Sequence, residues 1–146
     1  MNIAIASDHA GYEYKEKLKI FLKEIRFDSE DLGTNSTESV DYPDYAITLA
    51  KKVSSGEFTQ GILICGTGIG MSIAANKITG VRAAVCESVE AAKYSRLHNN
   101  ANVLCLGARI TPLDKAKEIV KVFLETEFEG GRHASRIEKI HRLTGF

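Results

Sequence analysis

The chain alternates short apolar runs with longer stretches that are apolar on one face only. The clearest apolar runs are Ile3 to Ala6, Gly61 to Cys65, Val81 to Cys86 and Val103 to Leu106, with a weaker one near Ser29 to Leu32. Short runs that are apolar at consecutive positions are typical of strands buried on both faces of a parallel sheet. We therefore predict about five strands with helices between them.

Helical spacing fills the intervals between these runs. One apolar helix face is formed by Leu18, Phe21, Leu22 and Ile25, and another by Ala116, Ile119, Val120, Phe123 and Leu124. Further helices are predicted over 42–53 and 132–143. Thr111, Pro112 and Asp114 match an N-cap, a proline at the first helical position and an acid in the first turn. The alternation predicts a single-domain α/β three-layer sandwich over residues 1–146, a Rossmann-like, doubly wound parallel sheet of about five strands with a C-terminal helix.

Composition excludes some classes of function. The 146 residues carry 19 basic and 19 acidic side chains, so no global field attracts nucleic acid or an anionic membrane. No apolar run approaches the ~18 residues of a membrane helix and no signal-peptide pattern opens the chain, which favours a cytoplasmic protein. Cys65, Cys86 and Cys105 are odd in number and show no metal-ligand spacing, as expected for free thiols in a reducing compartment.

Polar residues follow several of the predicted strands. In parallel sheets the ligand crevice lies outside the carboxyl ends of the strands. The residues in this position are Asp8 and His9, Cys65 to Gly70, Glu87, and Gly107 to Arg109. By contrast, His98 and Asn99 precede the last strand and are expected at the opposite edge.

The segment from Cys65 to Gly70 has glycine at alternate positions after an apolar strand. Glycines let backbone N–H groups turn toward one point, so this loop can hold an anion or oxyanion beside a thiol. Met71 excludes three known phosphate-binding motifs. At this position a dinucleotide fingerprint needs glycine, a Walker loop needs lysine, and a cysteine-phosphatase loop needs arginine. Glu87, about 20 residues further on, still leaves a nucleotide role open.

Each candidate also has a purely structural interpretation. Cys65 is either a thiolate base or nucleophile or a buried residue at a strand end, and the adjoining glycine loop favours function. Cys86 and Cys105 lack such a loop and are expected in the core. Asp8 is either a catalytic acid or base or the N-cap of the first helix.

Two further candidates lie nearer the C-terminus. His98 is either functional or the last residue of a helix before an asparagine turn. Arg132 and Arg136 are spaced i, i+4, so one helix face presents two guanidinium groups that suit a phosphate. The alternative for this pair is a solvated basic face. The neighbouring His133 and His141 receive no predicted role.

Six blocks, in this order along the chain, resemble one known family. They are Ser7 to Gly11, Asp41 to Pro43, Cys65 to Gly70, Ala74 to Lys77, His98 to Asn102, and Glu129 to His133. The chain resembles type B ribose-5-phosphate isomerases, in the group that includes galactose-6-phosphate isomerase subunits, over essentially its whole length. The resemblance implies interconversion of D-ribose 5-phosphate and D-ribulose 5-phosphate through an enediolate, without metal or organic cofactor, in the non-oxidative pentose phosphate pathway.

The same resemblance implies roles for the matching residues. Cys65 would be the base that moves a proton between C1 and C2, and His98 the acid that opens the furanose ring, assisted by Thr67. Asp8 would bind the substrate and move hydroxyl protons. The implied binding residues are Gly66, Thr67, Gly68, Ile69 and Gly70 around the enediolate oxygen, His9, Arg109, Arg132 and Arg136 on the phosphate, and Asn99 on the sugar. A second branch of the family uses a glutamate near the end of the loop, where this chain has Met71.

The expected position of His98 and Asn99 predicts a site shared between subunits. At the opposite edge they lie too far from Cys65 to share a substrate in one chain, so we expect a homodimer, or a tetramer, in which the partner supplies them. Two alternatives stay open. The substrate could be a six-carbon aldose 6-phosphate such as that of allose or galactose. The chain could also be a non-catalytic phosphosugar or nucleotide sensor, although Cys65, Asp8 and His98 together argue against it.

Overall fold

The computed structural model describes residues 2–146 and contains five strands and six helices in them. The strands are β1 Ile3–Ser7, β2 Ser29–Asp31, β3 Gln60–Cys65, β4 Ala83–Val85 and β5 Val103–Gly107. The helices are α1 Tyr12–Glu24, α2 Tyr42–Ser54, α3 Ile69–Ala75, α4 Val89–Leu97, α5 Leu113–Glu125 and α6 Arg132–Thr144. Every strand pair is parallel, and the order is β2-β1-β3-β5-β4. The predicted fold class is confirmed.

Helices cover both faces of this sheet, as the consecutive apolar positions of the strands require. On one face α1, α4 and α5 pack on side chains such as Ile5, Ile64 and Leu104. On the other face α2 and α3 pack on Ala6 and Leu63. Right-handed crossovers explain this division, because the chain moves one way along the sheet through α1 and α4 and the other way through α2 and α3.

Two predicted boundaries are wrong by a few residues. The apolar run Val81 to Cys86 forms a strand only at Ala83–Val85. The amide of Val81 donates to the carbonyl of Ile78 and that of Arg82 to Oδ1 of Asn102, so neither amide enters the ladder. Side-chain and turn acceptors of this kind are not visible as periodicity.

The predicted N-cap of α5 is also wrong. The helix begins at Leu113, and Pro112 rather than Thr111 holds the N-cap position, with extended backbone (ψ 146°) and no side-chain cap. Thr111 is buried, and its carbonyl accepts a hydrogen bond from the hydroxyl of Tyr14 on α1. A contact between α1 and the start of α5 therefore takes the place of the expected local cap.

A buried ion pair supports the end of β1. Lys15 on α1 is fully buried and contacts Asp31 at 2.5 Å, and Lys19 contacts the same carboxylate at 2.7 Å. Burial acts to raise the pKa of Asp31, but hydrogen bonds from Lys15, Lys19 and the Gly33 amide outweigh it and lower that pKa. The Gly33 carbonyl in turn accepts from the amide of Ser7. The pair thus anchors the loop beside the carboxyl end of β1.

The strand order places a crevice between β1 and β3. The chain leaves β1 toward β2 and leaves β3 in the opposite direction, so the two crossovers diverge from neighbouring strands. A gap at the carboxyl ends of such strands is the usual ligand site of doubly wound sheets. Within residues 2–146, no helix has the length and apolar character needed to cross a membrane.

Candidate active site

A cavity of about 520 Å³ opens at the carboxyl ends of β1 and β3. The predicted site residues that line it are Asp8, His9, Cys65, Gly66, Thr67, Ile69, Gly70 and Arg109. Sequence reasoning missed Tyr42 and Ile73, which also line it. Tyr42 opens α2 immediately before Pro43, and only its place in the folded chain brings its ring to the cavity.

The thiol of Cys65 lies at the base of this cavity. The residue is only 5% exposed, and its Sγ accepts a hydrogen bond of 3.1 Å from the backbone N–H of Gly68. Gly68 has a left-handed conformation (φ 80°), which side chains other than glycine rarely adopt. The turn at Gly68 therefore directs a backbone amide at the sulfur.

The loop after Cys65 also presents amides that have no acceptor. Among residues 2–146, none accepts a hydrogen bond from the backbone N–H groups of Gly66, Thr67 or Gly70. All three residues line the cavity. Uncompensated amides around one point form a site for an oxyanion or another anion.

Close packing fixes the position of this loop. A Cβ at Gly107, at the end of β5, would lie 2.6 Å from the carbonyl carbon and oxygen of Thr67. A Cβ at Gly70 would lie 2.6 Å from the ring of Tyr42. Real Cβ atoms do not approach so closely, so glycine at both positions lets the loop rest directly on its neighbours.

Asp8 and His9 face Cys65 from the end of β1. Oδ1 of Asp8, which is 7% exposed, accepts a bond of 3.1 Å from the amide of Gly11, the N-cap residue of α1. The carboxylate therefore holds the start of α1 and also lines the cavity. Nδ1 of His9 accepts from the amide of Val40 at 3.1 Å, so Nε2 carries the proton of the neutral ring.

The other two cysteines belong to the core, as predicted. Cys86 is 1% exposed and Cys105 is completely buried, and neither lines the cavity. Burial raises the pKa of Cys86 and raises that of Cys105 well above its ordinary value. Both stay neutral thiols, which leaves Cys65 as the cysteine placed for chemistry.

The remaining candidates form a second cluster around the end of α4. His98 is the C-cap residue of α4, as one interpretation of the sequence expected, and its ring stacks on His133 with centroids 4.1 Å apart. Arg132 and Arg136 stand on the same helix as His133 and are exposed. Burial lowers the pKa of His133, and charge on His98 and Arg132 acts in the same direction. The contact between His133 and His98 was not predicted, because only folding brings the two rings together.

Two backbone contacts fix the loop that carries His98 and Asn99. The guanidinium of Arg82 donates to the carbonyls of Asn99 and Asn100 at 2.9 to 3.2 Å. The amide of Glu129 donates to the carbonyl of Leu97 at 3.1 Å and ties the segment before α6 to the end of α4.

The two clusters lie at opposite edges of the sheet. Cys65 pairs with Gly107 at the carboxyl ends of β3 and β5, and Gly61 pairs with Val103 at the amino ends. The carbonyl of Asn102, beside the second cluster, accepts from the amide of Gly61. Four residue steps of strand separate these ends by about 13 Å. One chain thus holds two separate half-sets of the predicted site residues.

Two other positions bear on the alternatives. Glu87 is exposed, does not line the cavity and follows β4, which is separated from β3 by β5. A ribose-binding acid next to the glycine loop is therefore not in place there. Met71 is fully buried in the core on the α2 and α3 face and presents nothing to the cavity.

Comparison with known proteins gives consistent matches over nearly the whole chain. A family model described as Ribose/Galactose Isomerase matches residues 3–140. Ribose-5-phosphate isomerase B of Escherichia coli is 48% identical over 94% of this chain and 93% of its own. D-erythrulose-4-phosphate isomerase of Pectobacterium atrosepticum is 43% identical, over 96% and 93%.

A solved structure agrees with these sequence matches. Ribose-5-phosphate isomerase B of Clostridium thermocellum superposes with a TM-score of 0.97, at 51% identity, over 99% of this chain and 98% of its own. The fold and nearly the whole length of the sequence therefore match those of one family. The chain belongs to the ribose/galactose isomerase family.

Proposed function

We propose that residues 1–146 form a single phosphosugar isomerase domain that interconverts D-ribose 5-phosphate and D-ribulose 5-phosphate, with Cys65 as the base. The observation that carries the mechanism is the thiol of Cys65 beside three unpaired backbone amides. An aldose and a ketose interconvert by moving one proton between neighbouring carbons, which requires a base within reach of both. A thiol at the start of a rigid loop meets that requirement.

The loop amides stabilise the charge that develops during this transfer. When Cys65 removes the proton at C2 of the open-chain aldose, negative charge builds on the C1 oxygen of the enediolate. Gly66, Thr67 and Gly70 line the cavity, and their N–H groups have no acceptor among the described residues. A preorganised donor of this kind lowers the activation barrier by about 3 kcal/mol. Cys65 then returns the proton to C1, and Asp8 moves the proton of the C2 hydroxyl to the C1 oxygen, which leaves the ketone at C2.

Arginines from both clusters, together with His9, bind the phosphate. Arg109 lies in the cavity, and its amide donates to the carbonyl of Gly66, so its backbone is fixed beside the loop. His9 supplies an Nε2–H donor. Arg132 and Arg136 would complete the site from the second cluster, where paired guanidinium groups match phosphate oxygens.

The division into two clusters supports a site shared across a homodimer. In this arrangement the partner supplies His98, which opens the furanose ring with help from Thr67, and Asn99, which binds the sugar. Large apolar side chains are exposed beside the cavity, with Ile69 53% and Ile73 58% accessible. Others are exposed on α4 and α6, among them Tyr94, whose ring lies beside His98, and Ile140, which lines a cavity together with Asn99. In a two-fold dimer, the apolar patch beside the cavity of each subunit would pack against the patch on α4 and α6 of its partner. The contact would occur twice and would assemble two complete sites.

Ribose 5-phosphate is one of several sugar phosphates that this site could accept. A six-carbon aldose 6-phosphate would use the same base, loop and arginines, and the Pectobacterium relative is named for a four-carbon sugar phosphate. Ribose 5-phosphate is favoured by the similarity to two ribose-5-phosphate isomerases B.

The free thiol of Cys65 also favours a reducing, cytoplasmic compartment.

A direct assay tests the proposal. Purified protein is incubated with ribose 5-phosphate, erythrose 4-phosphate, allose 6-phosphate and galactose 6-phosphate, and ketose phosphate formation is measured for the wild type and for Cys65→Ser. We expect the highest kcat/KM with ribose 5-phosphate and loss of turnover in the variant. Tight binding without turnover of any of the four sugars would instead support the sensor.

A further inference from the structure

Three potential metal ligands meet at the end of α4, away from the Cys65 cavity. Their ligand atoms all lie within 4.8 Å of one another: one ring nitrogen of His98, one ring nitrogen of His133 and a carboxylate oxygen of Glu129. Nε2 of His98 is 4.0 Å from Oε2 of Glu129. Two imidazoles and one carboxylate form a donor set typical of zinc sites that keep a position open.

A second observation points to a missing partner at this place. His133 is 8% exposed, and its Nε2 is buried without any hydrogen-bond partner among the described residues. A buried polar nitrogen left unpaired costs free energy, so such atoms usually bind something. The unpaired nitrogen belongs to the same three-residue cluster.

The backbone around the cluster is already in place for binding. The three residues come from the C-cap of α4, the loop before α6 and the first turn of α6. The hydrogen bond from the Glu129 amide to the Leu97 carbonyl holds the first two together. Ligand atoms in a tetrahedral zinc site lie about 3.3 Å apart, so closure needs shifts of roughly 1.5 Å. The Glu129 side chain is exposed, and the His98 ring is partly exposed although it stacks on His133, so both can make these shifts.

We propose that His98, Glu129 and His133 bind a divalent transition metal such as Zn²⁺, and that the bound metal blocks the isomerase by holding the His98 ring. The second part rests on the proposed function, in which His98 opens the sugar ring. The metal acts here as an inhibitor and takes no part in the chemistry of Cys65.

The nearby charges determine which metals fit. Arg132 and Arg136 lie close enough to act on His133, and their positive charge opposes any cation that is bound by charge alone. Mg²⁺ and Ca²⁺ depend on several anionic oxygens, whereas Zn²⁺, Ni²⁺ and Co²⁺ gain their affinity from imidazole nitrogen. The site should therefore bind the second group and exclude the first.

Binding is measured first, without reference to activity. Untagged Cys65→Ser protein, which cannot use that thiol as a ligand, competes with a chromophoric chelator for Zn²⁺. Glu129→Gln and His133→Gln are tested in this background, with Glu127→Gln and His141→Gln as controls outside the cluster. We expect a stoichiometry of about one metal ion per chain and a roughly ten-fold or greater loss of affinity in each cluster variant, because even losing an outer-shell partner costs that much. Equal affinity in cluster and control variants overturns the site.

Inhibition is measured second, with the assay for ribose 5-phosphate. Zn²⁺ should inhibit the wild type reversibly, with recovery on adding chelator, and Mg²⁺ should not. Glu129→Gln should keep wild-type turnover without metal and need roughly ten-fold more Zn²⁺ for the same inhibition, since Glu129 is a ligand and no part of the catalytic set. Unchanged zinc sensitivity in Glu129→Gln overturns the claim that this metal site blocks the reaction. An inactive wild type with intact zinc binding counts against the proposed function alone.

Discussion

The backbone N–H of Gly68 donates to the Sγ of Cys65 at 3.1 Å, in a loop whose residues Gly66, Thr67 and Gly70 line the same cavity. The sulfur that would accept the substrate proton is therefore held at one point, next to the donors that would stabilise the enediolate. General base catalysis of this kind contributes about 10²–10⁴-fold to the rate.

Replacing Cys65 tests the role of the thiol. Cys65→Ser should lower kcat for ribose 5-phosphate at least about a hundred-fold, because a serine hydroxyl does not ionise near neutral pH. KM should change little, since the phosphate-binding groups remain. Cys86→Ala is the matched control, because Cys86 is equally buried but lies in the core. A Cys65→Ser enzyme as active as that control rules out the thiol as the base.

Alkylation should distinguish the three cysteines. Burial raises the pKa of Cys86 and of Cys105. Neither residue lines the cavity through which a reagent reaches Cys65 from solvent. Native protein treated with iodoacetamide should gain one adduct, at Cys65, and ribose 5-phosphate should slow the reaction. Mass spectrometry of digested protein locates the adduct. Preferential labelling of Cys86 or Cys105 would contradict the assignment.

Gly107→Ala should damage catalysis through the loop. The new Cβ would lie 2.6 Å from the backbone of Thr67, so the loop must shift. Its amides would then no longer point at the enediolate oxygen. We expect a fall in kcat of about ten-fold or more, given the size of a single oxyanion contact. Gly56→Ala is the control. An alanine at this φ of 84° should cost roughly 1 kcal/mol of stability, while its Cβ would meet no atom. Similar kcat values for the two variants would show that the contact does not matter.

The ion pair beneath β1 makes stability depend on pH. The pKa of Asp31 is lowered in the folded protein from 3.8, so the stabilisation is present above that value and is lost as pH falls through the folded value. Asp31→Asn leaves the fully buried Lys15 poorly paired and should cost about 3 kcal/mol at pH 7.

Urea denaturation at several pH values measures this effect. The difference between wild type and Asp31→Asn should shrink as the pH falls below about 4. Glu125→Gln, which breaks an exposed pair with Lys121, should cost under about 0.5 kcal/mol at any pH. A pH-independent difference for Asp31→Asn would contradict the account.

The parts of the fold that depend on burial were predictable from sequence. Apolar runs such as Gly61 to Cys65 had to become central strands, and their order placed Asp8 and Cys65 at one edge and His98 at the other. The predicted doubly wound parallel sheet of about five strands is confirmed, because burial on both faces leaves few other arrangements for such segments. The catalytic roles given to these residues stay predictions.

Features that depend on distant contacts were not predictable. The carbonyl of Thr111 binds Tyr14, which is 97 residues away, and the expected helix cap is displaced. His133 gave no signal beyond its place in the block Glu129 to His133, because its stacking on His98 arises only when the chain folds. Sequence periodicity reports which face of an element is buried but not what that face meets.

The most direct test of the central claim mixes two inactive chains. Cys65→Ala and His98→Ala are each assayed alone with ribose 5-phosphate, then unfolded together in equal amounts and refolded. If the site takes Cys65 from one subunit and His98 from the other, each mixed dimer contains one intact site, and about a quarter of wild-type activity should return. If each chain builds its own site, every site lacks one residue, and a mixture that exchanges subunits but stays inactive contradicts the account.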